Sequence, residues 1–225
     1  MKSSMILIAA TAAVLFVSCG KDDPQSASDG VQAIDMGLSV DWGSCNLGAS
    51  KPEEVGLYIA WGETDPKKEY TYDNYKWGVS EEKYGRPYAG ATPDKGMTKY
   101  NTKDGLQTLL PEDDVVTVKL GKGWRMPTEE EVNELFNNDN CEYEETRMNG
   151  KPGFKVTSKK TGKSIFFPSG GYYTPTSDQL CGGTHYWTSS LTKDWLSYGR
   201  MYCMGGCGND DRGSGLNIRP VKEKK

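Results

Sequence analysis

Tyr186-Trp187-Thr188-Ser189-Ser190, a polar and glycine-rich stretch from Leu191 to Asn217, and then Ile218-Arg219-Pro220-Val221 close the sequence. Short aromatic and β-branched runs bounded by Gly, Asn and Asp read as strands, so the chain ends as strands framing a long loop. The same texture recurs upstream, at Gln32 to Met36, Val40 to Ser44, Leu57 to Trp61, Phe154 to Thr157 and Ser164 to Phe167. Within the closing region, Trp195 to Tyr202 and Leu216 to Val221 read alike. Asn149-Gly150 and Thr161-Gly162 mark turns, and no helical period dominates any long window. One helix is signalled: Thr128 caps it, Glu131 completes a capping box, and Glu129 to Glu131 set negative charge against its N-terminus. Val132, Leu135 and Phe136 form its apolar stripe. A carboxylate engaged by free backbone N–H groups is a poor general acid, so this acidic run reads as capping rather than chemistry.

The chain has 27 Gly, 13 Tyr and 6 Trp, a mixture suited to short strands whose aromatics supply the buried area. Trp42, Trp61, Trp124 and Trp187 stand in apolar or glycine-flanked contexts and read as core anchors. From Lys67 to Leu120 the sequence turns polar, with Tyr70, Tyr72, Tyr75, Trp77, Tyr84, Tyr88 and Tyr100 spread through it. It reads as an irregular insertion packed by its own rings, with a carbohydrate platform as the alternative. A net charge of -4 with scattered Lys and Arg leaves no electrostatic footprint for nucleic acid.

Lys2, the apolar run from Met5 to Val17, and Ser18 before Cys19 have the layout of a secretory signal, and the run is too short to span a bilayer. Phe16-Val17-Ser18-Cys19 resembles the lipobox of bacterial lipoproteins, which implies a mature chain beginning at a lipidated Cys19. Lys21-Asp22-Asp23 is similar to the export signal of Bacteroidetes surface lipoproteins. Residues 1–18 are thus expected to be signal peptide, 19–30 a flexible spacer, and 31–222 one domain. The expected place is the outer membrane, lipid-anchored and facing the exterior, since two or more acyl chains suffice for stable attachment. Cys45, Cys141, Cys181, Cys203 and Cys207 remain, an odd number that leaves at least one thiol free. Cys203 and Cys207 are spaced for a local disulfide or for metal ligation, but with His185 as the lone histidine a zinc site is poorly served.

Six ordered motifs carry a wider resemblance: Val31 to Leu38, Trp42 to Ala49, Ala60-Trp61-Gly62-Glu63-Thr64, Gly123-Trp124-Arg125-Met126-Pro127-Thr128, Tyr186 to Ser190, and Ile218 to Val221. Together they resemble the Fibrobacter major paralogous domain, from about Val31 to Val221. The closing pattern is also similar to C-type-lectin-like domains. The resemblance implies an α+β fold of mixed short strands, one or two helices and long irregular loops, carried by a surface lipoprotein that binds ligand through its loops.

On that reading Leu191 to Asn217 is the ligand-facing region, with Trp195, Tyr198, Arg200, Tyr202, Asn209, Asp210, Asp211 and Arg212 as contacts. Aromatics give rigid area, and Asp, Asn and Arg give directional hydrogen bonds. Equally, Trp195 and Tyr202 could alternate into the core while Asn209 to Arg212 forms a solvated turn. The expected ligand is a glycan or a host or bacterial surface protein, with no catalytic residue, metal or cofactor. Asn209-Asp210-Asp211 offers hard oxygens for calcium, but consecutive acids on a short turn rarely converge on one ion. Ser189 and Ser190 sit too near His185 in sequence to face it as a nucleophile pair. Two other functions stand beside ligand binding: a structural subunit of a surface or fimbrial assembly, and a formylglycine-generating-type oxidase using Cys203 and Cys207.

Overall fold

The computed structural model describes residues 30–78, 96–177, 179–203 and 206–224. Cys19, the signal and spacer up to residue 29, Tyr84 and Tyr88 lie outside the described residues. In chain order the elements are β1 (Ala33–Ile34), β2 (Val40–Gly43), α1 (Val115–Leu120), β3 (Trp124–Arg125), α2 (Glu129–Leu135), β4 (Cys141–Met148), β5 (Lys151–Ser158), β6 (Ser164–Pro168), β7 (Tyr186–Leu191), β8 (Tyr198–Cys203), β9 (Gly206–Asp211) and β10 (Val221–Glu223). They form three antiparallel sheets, ordered β1-β2-β10-β3, β4-β5-β6 and β7-β8-β9.

The expected α+β class is therefore corrected to a sheet-dominated fold. Among the described residues the two helices have 6 and 7 residues, too short to form a layer of their own. Each is held by its cap. The Asp114 carboxylate accepts from the Val116 and Thr117 amides, and Thr128 with Glu131 closes the anticipated capping box. The six-residue α1 carried no periodic signal and was not foreseen.

The long polar edge strand β4 also escaped the reading. Glu142, Glu144, Glu145 and Arg147 are all exposed, so the alternation that betrays a half-buried strand is missing. Its turn was legible: Asn149 and Gly150 both take positive φ, 49° and 81°, as a two-residue hairpin of this twist requires. Leu57 to Trp61 is not a strand but meets the chain end through one bridge, Ile59 to Leu216. Trp195 lies in the turn before β8 rather than within a strand.

Tryptophans dominate the interior, as anticipated for three of the four. Trp42, Trp61 and Trp187 are fully buried, whereas Trp124 is only half-buried and carries the Lys222 ammonium over its ring at 5.3 Å. Trp61 and Trp187 donate across the chain to the carbonyls of Thr188 (2.9 Å) and Ile59 (2.8 Å). They close on β8 at Gly199, where an added Cβ would lie 2.8 Å from the Trp61 ring and 2.9 Å from that of Trp187. Tyr70, Tyr75 and Tyr100 are buried, consistent with the packing reading of the insertion.

Arg219 is fully buried beside β10. It donates to Asn46 Oδ1 (3.0 Å), to the Gly43 carbonyl (2.9 Å) and to the Phe166 carbonyl, and its guanidinium stands 4.5 Å from the Phe167 ring centroid. One side chain thus joins the chain ends to β6. Each buried acceptor left unpaired costs about 1–3 kcal/mol. Arg219→Ala is therefore expected to lower stability by about 3 kcal/mol or more, read as an earlier midpoint in urea unfolding followed by tryptophan fluorescence; an unchanged midpoint would count against the hub.

Candidate binding cleft

The β8–β9 hairpin sorts the expected contact residues into two sets. Antiparallel register places Tyr202 opposite Cys207, Arg200 opposite Asn209 and Tyr198 opposite Asp211, so these side chains share one face of the hairpin and burial, not alternation, divides them. Tyr202 turns inward. It is 1% exposed, stacked on Tyr186 at 5.3 Å, and belongs to the core rather than to a binding face. Arg212 is fully buried, donating to the Tyr75 hydroxyl (2.9 Å) and to the carbonyls of Tyr100, Leu196 and Lys99, with the rings of Trp61, Tyr75 and Tyr100 around its guanidinium. Neither side chain is presented to a ligand. Asn209 to Asp211 form the end of β9, not a solvated turn.

Asp210 accepts from Ser214 Oγ (2.7 Å), and Asp211 accepts from the Tyr72 hydroxyl (3.4 Å) while its Oδ1 is buried with no partner among the described residues. Burial pushes the Asp211 carboxyl up to about 6, with Asp210 adding to the effect. Among the described residues no three His, Cys, Asp or Glu side chains converge as a metal site.

Trp195, Arg200 and Asn209 do come together. They line one open cleft of about 370 Å³ with Glu129, Glu130 and Asn133 of α2 and with Thr192, Lys193 and Asp194 before β8. Trp195 is 53% exposed, unlike the core tryptophans. Its turn is fixed from beneath, because the Thr192 hydroxyl donates to the carbonyls of Trp195 and Tyr198. Arg200 is clamped from two sides, ion-paired to Glu129 and donating to Asn209 Oδ1 at 2.6 Å. That pairing with Glu129 holds the guanidinium firmly charged. Its Nε is buried without a partner among the described residues. The cleft therefore offers an apolar ring face beside a pre-oriented fork and two further carboxylates, Glu130 and Asp194.

The sequence reading missed the α2 contribution because it assigned the whole acidic run to capping. Only Glu131 does that work, accepting from the Thr128 amide (2.8 Å) and pairing with Arg125. Glu129, two residues earlier, is free to reach across to Arg200. The distance from β8 in sequence left no local signal for this pairing.

The cysteines and serines have structural surroundings. All five described cysteines are free. Tyr202 pairs with Cys207 and Cys203 with Gly206, so Cys203 and Cys207 lie on opposite faces of the hairpin, which removes the local disulfide and the shared metal site. Burial, then the Glu129 carboxylate, pushes the Cys207 thiol up to about 11, away from the nucleophilic thiolate. Ser189 Oγ donates to the Pro127 carbonyl (3.2 Å), and Ser190 Oγ accepts from the Glu129 amide (3.1 Å). No family model, curated protein or solved structure matches the chain.

Because the folded state raises the Asp211 pKa above its ordinary 3.8, to about 6, the native protein holds the proton more tightly than the unfolded chain between these values. Stability is lost as pH rises through that window. Asp211→Asn is expected to flatten this part of the stability–pH profile and to stabilise the protein at pH 7, as read by urea unfolding at a series of pH values.

Proposed function

We propose that the domain is a recognition module that takes a glycan in the cleft between α2 and the turn before β8. The exposed Trp195 ring carries this reading, standing beside the Arg200–Asn209–Glu129 fork. A flat indole covers the apolar face of a sugar ring, while guanidinium, amide and carboxylate groups meet its hydroxyls. Leaving a large ring half in water has no packing benefit, and an exposed aromatic next to oriented polar groups is what binding surfaces use as an anchor. Trp195, Arg200 and Asn209 remain as contacts from the sequence reading, joined by Glu129, Glu130 and Asp194.

The likeness of the Cys19 region to a lipobox supports a lipid-anchored position on the outside of an outer membrane, where a glycan-binding domain meets its ligands. No helix among the described residues is long and apolar enough to cross a membrane. A protein ligand would use the same cleft and is distinguished by the experiment below. The separation of Cys203 from Cys207 and the high pKa of Cys207 weigh against the oxidase reading.

Trp195→Ala and Arg200→Ala are each expected to weaken binding of the glycan selected on an array by about tenfold or more, the equivalent of ~1.4 kcal/mol. The Trp195 change should leave stability within about 0.5 kcal/mol, since an exposed ring contributes little to the core. The readouts are a glycan array beside a surface-protein array, followed by titration calorimetry. Selective glycan capture lost in both variants supports the reading, whereas capture of proteins alone, or capture indifferent to both variants, defeats it.

A further inference from the structure

We propose that the free edge of β4 pairs antiparallel with the same strand of a second copy of this chain, in the register that sets Thr146 opposite Thr146. No residue of β4 lines the Trp195 cleft, so this surface stands apart from the proposed glycan site.

The edge is open and regular. β4 ends its sheet, and its pairing with β5 runs without a bulge from Cys141 opposite Ser158 to Met148 opposite Lys151. The two-residue turn makes Met148 and Lys151 a hydrogen-bonded pair. At the other end the Lys159 amide donates to the Asn140 carbonyl at 2.9 Å, which keeps the same phase. The even-numbered residues of β4 therefore bond β5, while Tyr143, Glu145 and Arg147 turn their N–H and C=O groups outward. Among the described residues no other segment pairs with those outward groups.

Charged side chains on an edge ordinarily keep a second strand away. Two of the charges on β4 are already answered within the chain, Glu142 by Lys159 at 3.7 Å and Glu144 by Lys155 at 3.5 Å. Glu145 has no ion pair among the described residues. Arg147 spends one donor on the Gly150 carbonyl at 3.0 Å, which leaves the rest of its fork for a carboxylate. The charges left over are thus one of each sign, and both belong to outward-bonding residues.

Hydrogen-bond phase and charge together select one register. In an antiparallel pair, outward residues must face outward residues. Glu145 opposite Glu145 sets like charges face to face, and Arg147 opposite Arg147 does the same. Glu145 opposite Tyr143 brings Glu144 against Glu144. Glu145 opposite Arg147 instead makes a Glu–Arg pair twice, by symmetry, with the two Thr146 side chains meeting on the axis between them. Opposite charges and paired threonines are favourable cross-strand neighbours, and like charges are not. The pairing joins two three-stranded sheets into one through a single strand from each copy, an area at the small end for an interface, so the dimer is weak and reversible.

The test is sedimentation equilibrium of the full chain, which is expected to show a monomer–dimer equilibrium with a Kd below about 1 mM. Glu145→Arg and Arg147→Glu each put like charges at both symmetric positions, and each should weaken self-association at least about tenfold. An equimolar mixture of the two variants regains both Glu–Arg pairs and should associate at least as well as the parent. Under mild oxidation Thr146→Cys should form an intermolecular disulfide, identified by peptide mass spectrometry, at least about tenfold faster than Glu144→Cys, because only position 146 faces its own copy. The proposal is overturned by a parent chain that stays monomeric up to about 1 mM, by single variants that self-associate as the parent does, by a mixture that stays monomeric, or by equal cross-linking at 144 and 146. Should a charge variant not fold, the comparison of the two cysteine variants decides the question.

Discussion

Two guanidinium groups with no carboxylate bonded to them among the described residues hold this protein together. Arg212 and Arg219 are both fully buried, and each spends its donors mainly on backbone carbonyls and neutral oxygens while aromatic rings cover its face. A planar fork can satisfy several carbonyls that belong to no sheet, and a chain of short strands with long irregular connections has many such carbonyls. Arg219 ties Asn46 and Gly43 to β6, and Arg212 ties the insertion around Tyr75, Lys99 and Tyr100 to the hairpin end. Ring quadrupoles supply the negative potential that an ion-pair partner would otherwise provide.

The cleft inherits its rigidity from these anchors. Arg212 follows β9 directly and also holds the Leu196 carbonyl, one residue from Trp195. A residue expected to touch ligand therefore fixes, from inside, the turn that presents the ring. α2 is positioned independently by its capping box and by Ser190 beneath the Glu129 amide. The two walls of the cleft are thus set by separate interactions and meet through the Arg200–Glu129 pair, so the polar groups of the cleft are already oriented.

What the sequence disclosed follows from which signals are local. The capping box at Thr128, the Asn149-Gly150 turn and the aromatic strands near Tyr186 are written in residues a few positions apart, and all three were readable. β4 was silent because both faces are solvated. The fold class was overestimated toward helix because a family resemblance, rather than periodicity, supplied the expectation. In the hairpin the residue types suited both surface and core: Arg212 and Arg200 look alike in sequence, yet one is enclosed by three rings and the other opens onto a cleft. Only contacts made far away in the chain, to Tyr75 by Arg212 and to Glu129 by Arg200, separate them.

The pairing of β2 with both β1 and β10, reinforced by Lys224 reaching Asp35 at 2.7 Å, brings the first and last strands of the domain into one sheet, with β2 between them. A unit whose first and last strands share one sheet behaves as a cassette: it can be spliced into a surface loop of another protein, or strung in tandem. The same adjacency lets the ends be joined and new ones opened elsewhere, with the exposed Asn149-Gly150 turn as the natural place to cut. The Trp195 cleft and the chain ends are then separable parts, and evolution or design can move the one without rebuilding the other.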